Sequence, residues 1–98
     1  MMSRRRNGPQ PRRYEIRFTR AAERGLASLP KRDQRRVDAA ILGLAGDPHP
    51  PGSKKLEGAG DLYRIRVGDY RVLYTVEHDR LVVLVVDIGN RRDIYRSL

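Results

Sequence analysis

The sequence predicts an α+β domain: an N-terminal strand, an αα-hairpin and a three-stranded antiparallel meander, with the helices packed on one sheet face. Three observations support this fold class. Residues 14–18 alternate between apolar and polar side chains, residues 20–44 repeat apolar positions at helical spacing, and residues 62–88 hold three strand-like runs separated by short turns. A chain of 98 residues is long enough for one such domain around a single core.

The N-terminal strand is predicted from the segment YEIRF at residues 14–18, whose alternation is typical of a half-buried strand. Thr19 follows and suits a helix N-cap, because its hydroxyl can accept a hydrogen bond from an otherwise unpaired backbone N–H. The first helix is short and carries apolar residues at i, i+4 and i+7. These residues are Ala22, Leu26 and Leu29.

The second helix of the hairpin is the better marked of the two. Pro30 ends the first helix or opens the second, because proline has no backbone N–H to donate. Gly46-Asp47-Pro48 closes the second helix. Its apolar stripe consists of Val37, Ala40, Ile41 and Leu44. The arginines of this helix lie largely off the stripe, so both helices present one apolar side to a sheet.

The meander follows a segment, residues 49–60, whose composition predicts a loop. Its strands are predicted at residues 62–67, 70–77 and 80–88. Gly68-Asp69 is a Gly-X pair suited to a two-residue turn, which places Arg66 opposite Arg71. A two-residue turn at His78-Asp79 would in the same way place Glu77 opposite Arg80.

The parity of the strands divides their residues between two sides. One side is apolar enough to receive the helical hairpin. It comprises Tyr63, Ile65, Val67, Val72, Tyr74, Val76, Val83 and Val85. The other side carries Arg64, Arg66 and Arg71, which we call the arginine face, beside Leu73, Val82, Leu84 and Val86. The last strand of the meander, residues 80–88, is apolar on both sides, which is typical of an interior strand.

Like charges directly opposed across a strand pair destabilise it, so the arginine face needs an explanation. One interpretation is a solvated surface whose long side chains splay apart. The other is an anion site, because guanidinium groups match phosphate oxygens. Further basic residues that could converge on this face favour the anion site. They are Lys54 and Lys55 before the first meander strand and Arg91 and Arg92 after the last.

Composition sets limits on the function. The net charge of +9 points to a polyanionic partner, although residues 1–13 hold five arginines and no acid, and the remainder has 16 basic against 12 acidic residues. We predict that residues 1–13 form a mobile tail and that residues 14–98 form the domain. With no cysteine and only His49 and His78, we expect no metal and no cofactor in catalysis. Neither a signal segment nor a membrane-spanning run is visible, which predicts a cytoplasmic protein.

The segments KKLEG, LYRIRVGDYRVLYTV and LVVLVVDIGNRRDIYR together resemble the RelE branch of the RelE/ParE toxin superfamily. The similarity runs from about Tyr14 to Arg96. It implies a RelE-like fold and a small basic ribonuclease that enters the ribosomal A site and cleaves mRNA without a metal. It also implies an acidic antitoxin that holds the enzyme inactive, with the toxin itself monomeric.

Carried over by position, the resemblance implies five catalytic residues. They are Arg64 and Arg66 as the basic strand pair, Arg71 as the phosphate-binding arginine, Arg91 after the glycine, and Tyr95. Lys54, Lys55 and Arg92 are expected to bind the substrate. Family members often have lysine at the two strand positions, and arginine is a poor general base because its pKa lies above about 12. Either Lys54 or Lys55 acts as the base, or ribosomal groups and water remove the proton.

Two other functions are compatible with the same sequence. A toxin of the ParE branch would share the fold but inhibit DNA gyrase by binding, without nuclease activity. A basic nucleic-acid-binding module that lacks catalysis is the third possibility. The arginine set favours the nuclease, because a protein that only binds gyrase has no need of a cluster that grips phosphate.

Overall fold

The computed structural model of the chain describes residues 13–90. Residues 1–12 of the predicted tail and the site candidates Arg91, Arg92 and Tyr95 therefore lie outside the described residues. The elements in chain order are β1 (Glu15–Phe18), α1 (Arg20–Ala27), α2 (Lys31–Gly43), β2 (Lys54–Lys55), β3 (Tyr63–Val67), β4 (Tyr70–Glu77) and β5 (Val82–Asn90). Within residues 13–90, no helix has the length and hydropathy that crossing a membrane requires.

The strands form a single five-stranded sheet in the order β1-β5-β4-β3-β2. The predicted α+β architecture is confirmed, including the antiparallel meander of β3, β4 and β5. β1 joins the sheet parallel to β5, with Ile16 beside Val83. The prediction of a loop throughout residues 49–60 is wrong at Lys54 and Lys55, which form the short edge strand β2 against β3.

The register between β3 and β4 is the predicted one, with Arg66 opposite Arg71. The turn depends on Gly68, which has a φ of +61°. Asp69 keeps a negative φ. This combination fits a type II′ turn, whose first central position needs the conformational freedom of glycine and whose twist matches the flanking strands.

The predicted pairing of Glu77 with Arg80 is wrong, because Glu77 lies opposite Val82. His78-Asp79 contains no glycine to form a primed two-residue turn, so a four-residue loop, 78–81, connects β4 to β5. Leu81 takes the positive φ, +54°, that closes this loop. Arg80 and Glu77 still form an ion pair of 3.3 Å, which joins the loop to the last residue of β4 rather than pairing the two strands.

A bulge in β5 changes the parity of its second half. Leu73 lies opposite Asp87 whereas Tyr74 lies opposite Val85, so Val86 is the extra residue. The bulge brings Ile88 to the helix side of the sheet. The main core lies between that side and the two helices. Its buried residues, all predicted to face it except Ile88, are Ala22, Val37, Ile41, Leu44, Ile65, Val72, Tyr74, Val83, Val85 and Ile88. The other predicted residues pack against this core but are only partly buried, and they are Leu26, Leu29, Ala40, Tyr63, Val67 and Val76.

Helix α1 lies very close to β5. A Cβ on Gly25 would overlap the carbonyl oxygen of Ile88, so only glycine permits this approach. Thr19 is the predicted N-cap, with its Oγ1 accepting from the Ala22 N–H at 3.1 Å. The same hydroxyl donates to the Val86 carbonyl at 2.5 Å. Thr19 therefore joins the start of α1 to the bulge of β5.

We expect Thr19→Val to lower the free energy of unfolding by about 1–2 kcal/mol, because valine keeps the shape of threonine but removes both hydrogen bonds. Urea unfolding measures the change. The matched substitution Thr75→Val, on β4, is expected to stay within about 0.5 kcal/mol of the parent protein. Equal stability of the two variants would contradict the role assigned to Thr19.

Candidate functional site

The sheet face opposite the helices brings basic residues together in two neighbouring rows. Residues that pair across antiparallel strands share a face, so the register assigns these rows directly. The first row runs across four strands through Lys54, Arg64, Leu73 and Asp87. The second row contains Arg66, Arg71 and Gly89. The predicted arginine face is thus one continuous surface, with Lys54 at its edge.

Two of these arginines are buried. Arg64 is 9% exposed and Arg71 is 8% exposed, whereas Arg66 is exposed. Arginine is among the residue types least often fully buried, since taking a charge out of water is costly without compensation. Nε of Arg64 has no hydrogen-bond partner among the described residues. A bound anion would supply the missing acceptor and offset the cost of that buried donor.

A second apolar cluster explains how the arginine face is partly shielded from water. Segment 56–62 packs on this side of the sheet, where Leu62 and Leu73 are buried together. Leu56, Ala59 and Val86 pack against them. Because Leu73 pairs with Arg64, this cluster borders the guanidinium groups and lowers the effective dielectric around them. The composition of residues 49–60 predicts only a loop, and Leu62 was predicted to start the first meander strand, so this cluster was not predicted.

A cavity of about 310 Å³ opens beside β3. It is lined by Pro51, Gly52, Arg64, Ile65 and Arg66. Its size is at the lower end of the range for small-ligand pockets and its lining includes two cations, which suits a phosphate group. A larger cavity of about 360 Å³ lies at α1 and α2, but it is lined by the carboxylates of Glu23 and Asp38, which repel phosphate.

The two lysines of β2 fall on opposite sides of the sheet. Lys54 pairs with Arg64 and shares the arginine face. Lys55 pairs with Tyr63, whose ring stacks on the core residue Tyr74 at 5.9 Å. The Lys55 ammonium also lies 3.7 Å from a carboxylate oxygen of Asp61. The structure therefore groups Lys54, and not Lys55, with the arginines.

Asp87 is a candidate site residue that the sequence pattern does not indicate. It lies opposite Leu73 and so on the arginine face, one row from Arg71. Its Oδ1 accepts a hydrogen bond from the Ile88 N–H at 2.9 Å. The sequence pattern does not place Asp87 on the arginine face because unbroken alternation along β5 would put it on the helix side, and only the bulge at Val86 reverses this. A carboxylate here can orient a guanidinium group or accept a proton.

The turn between the two arginine-bearing strands is anchored to α2. Tyr70, next to Arg71, donates a hydrogen bond from its hydroxyl to Asp33 at 2.8 Å. That bond, followed by desolvation, raises the pKa of Tyr70. The guanidinium of Arg36 lies against Gly68 in the turn and 4.0 Å from Asp33. These contacts fix the position of the hairpin that carries Arg66 and Arg71.

Comparisons with known proteins identify relatives of the chain. The family described as "ParE toxin of type II toxin-antitoxin system, parDE" matches residues 16–95. Toxin RelG of Mycobacterium tuberculosis is 32% identical over 84 residues, which cover 85% of this chain and 97% of that protein. A putative RelE-like toxin protein of Escherichia coli is also 32% identical, over 87 residues that cover 85% of this chain and 90% of that protein.

Solved structures show the same fold. The toxin–antitoxin complex RelBE2 of Mycobacterium tuberculosis superimposes with a TM-score of 0.73 at 30% identity, over 83% of this chain and 94% of that one. The archaeal RelE–RelB complex of Pyrococcus horikoshii gives a TM-score of 0.71 at 35% identity, over 82% and 97% of the two chains. The isolated RelE toxin of Escherichia coli, at 24% identity, has a TM-score of 0.69 and supports the fold alone.

Proposed function

Because this chain belongs to the RelE branch of the RelE/ParE superfamily of type II toxins, we propose that it is a ribosome-dependent endoribonuclease that cleaves mRNA in the A site. The observation that carries the proposal is the pair of buried guanidinium groups of Arg64 and Arg71, on one sheet face with Arg66 and Lys54. A surface that serves only for solubility has no reason to desolvate two cations.

In the proposed reaction the 2′-hydroxyl of the substrate attacks the adjacent phosphorus, without a metal ion. The bond between the 2′-oxygen and phosphorus forms while the bond to the 5′-oxygen of the next nucleotide breaks. The products are a 2′,3′-cyclic phosphate and a 5′-hydroxyl. Arg64, Arg66 and Arg71 stabilise the negative charge that builds up on the phosphate oxygens, a contribution that is strongest where water is excluded.

Two protons must move in this reaction: a base removes one from the 2′-hydroxyl, and an acid, which water can supply, gives one to the leaving 5′-oxygen. A guanidinium group stays protonated at neutral pH and is poorly suited to either role. Lys54 is the better candidate for the base, since an amine can be neutral where a guanidinium cannot and since Lys54 is paired with Arg64. Lys55, which faces the other side beside Asp61, is not assigned this role.

We expect Lys54→Ala to lower the rate of mRNA cleavage by about 10²–10⁴-fold, the usual contribution of general acid–base catalysis. Lys55→Ala is the matched change at the neighbouring position. It is expected to leave the cleavage rate within about threefold of the parent, because it removes only an exposed ion pair, and such pairs contribute little. Single-turnover cleavage on programmed ribosomes measures both. Loss of activity in Lys55→Ala alone would reverse the assignment of the two lysines.

The partner implied by family membership is an acidic antitoxin. The related structures are complexes of RelE toxins with RelB antitoxins. The net charge of +9 favours such a partner electrostatically. An acidic segment of the antitoxin that covers the arginine face would block access of RNA. The antitoxin would be made in the same cell as the toxin. Both proteins would act in the cytoplasm, where the ribosomes are.

The second candidate function is inhibition of DNA gyrase, which the family description naming ParE favours. Two assays on the purified protein separate the candidates: cleavage of mRNA on programmed ribosomes, and supercoiling by gyrase. The nuclease proposal predicts cleaved mRNA at protein concentrations that leave supercoiling unchanged. Inhibited supercoiling with intact mRNA would assign the chain to the gyrase-binding function instead.

A further inference from the structure

The only two histidines of the chain meet in the folded protein, although 28 residues separate them in sequence. His49 lies in the loop after α2, and His78 lies in the loop between β4 and β5. Their Nε2 atoms are 3.2 Å apart, and their ring centroids are 5.2 Å apart. Both rings are exposed to solvent. The proposed nuclease mechanism uses neither of them.

We propose that His49 and His78 form a binding site for a divalent transition-metal ion of the zinc, copper or nickel type. Imidazole nitrogen is a preferred ligand of these ions. Two nitrogens bound to one zinc ion at about 2.1 Å lie about 3.0 Å apart at a right angle and about 3.4 Å apart at the tetrahedral angle. The observed separation of the two Nε2 atoms lies between these values.

Neighbouring residues hold the pair in place. The hydroxyl of Tyr14 lies 2.8 Å from Nδ1 of His78, the second nitrogen of the ring. A hydrogen bond to the second nitrogen is typical of metal-binding histidines, because it fixes the ring and leaves Nε2 free for the ion. His49 packs on the ring of Tyr63 at 4.7 Å between centroids, and its backbone N–H donates to Asp47 at 3.0 Å.

The bond between the two Nε2 atoms needs a proton on one of them, and the ion takes the place of that proton. The displaced proton moves to Nδ1 of the same ring, so both rings stay neutral and each Nε2 offers a lone pair to the ion. Residues 13–90 contain no group of three or more metal-ligating side chains. Water, or a carboxylate from a partner, therefore completes the coordination at the exposed side of the pair.

The ion would crosslink two loops that are not joined directly by strand pairing. The first, residues 44–53, leads from α2 into β2 and contributes Pro51 and Gly52 to the cavity beside Arg64. The second, residues 78–81, connects β4 to β5. Binding to the folded state alone stabilises it by mass action, so the site is expected to raise thermal stability without taking part in cleavage.

Thermal unfolding of the tag-free protein, with ZnCl₂ or with EDTA, tests this proposal. When the free Zn²⁺ concentration is about ten times the dissociation constant, we expect Tm to rise by about 7 °C. The chain has two histidines and no cysteine. NMR should therefore show chemical-shift changes for both imidazole rings when Zn²⁺ is added. EDTA should reverse both effects.

His49→Gln and His78→Gln are each expected to abolish the Zn²⁺-induced rise, measured against the metal-free Tm of the same variant. Asp79→Asn, a matched change beside His78, should keep the rise. An unchanged Tm in the parent protein, or an equal rise in either histidine variant, would overturn the proposal. Ribosomal cleavage by the histidine variants should stay at the parent level, so this result is independent of the nuclease assignment.

Discussion

Replacement of Arg71 by methionine is expected to reduce the rate of mRNA cleavage on ribosomes by about 10²–10³-fold, the loss typical of removing one preorganised donor to a transition-state oxyanion. Arg71 lies opposite Arg66 and is only 8% exposed, so its charge acts through a medium of lower dielectric than water. Methionine keeps a flexible apolar stem to fill the buried space but carries no charge and no donor.

Arg80→Met is the control for this prediction. Arg80 lies in the loop at the far end of β4 and forms an exposed ion pair with Glu77, whose loss costs little. Urea unfolding of both variants separates an effect on the fold from an effect on the chemistry. Cleavage by Arg71→Met at the parent rate, in a variant that folds, would remove Arg71 from the catalytic site.

The largest loss of stability is expected from Gly25→Ala. A Cβ at this position overlaps the carbonyl oxygen of Ile88 and lies 3.1 Å from its carbonyl carbon, and backbone atoms of an interior strand cannot move aside cheaply. We expect the free energy of unfolding to fall by about 2–4 kcal/mol, because overpacking outweighs the better helix propensity of alanine. Urea unfolding measures this change directly.

Gly43→Ala is the matched control, since it makes the same change in the last residue of α2. A Cβ there meets no atom within 4 Å. The free energy of unfolding of this variant should equal that of the parent protein or exceed it by up to about 1 kcal/mol. If Gly25→Ala were as stable as Gly43→Ala, the close approach of α1 to β5 would be wrong.

The parts of the fold that the sequence predicted are those with a local chemical signal. Thr19 marks the start of α1 because a hydroxyl can cap a helix, and Gly68 sets the register of β3 and β4 because the turn needs a positive φ. The alternation along β3 and β4 then placed Arg64, Arg66 and Arg71 on one face. The centre of the candidate site was therefore predictable.

The parts that the sequence did not predict lack such a signal. His78-Asp79 favours no particular turn, so the four-residue loop was missed. The run LVVLVV is apolar on both sides, so its pattern cannot show the bulge at Val86 that moves Asp87 to the arginine face. Lys54 and Lys55 are adjacent, and only the pairing of β2 with β3 separates them. The contact between His49 and His78 depends on two distant loops.

The arginine face is expected to hold the scissile phosphodiester while the neighbouring 2′-hydroxyl attacks it. The most direct test is cleavage of a defined mRNA on ribosomes with an empty A site, followed by identification of the new 3′ ends. We predict a cut in the A-site codon that leaves a 2′,3′-cyclic phosphate, and no cut when the attacking nucleotide is 2′-deoxy. Cleavage of the 2′-deoxy mRNA, or an mRNA that stays intact with active protein present, would contradict it.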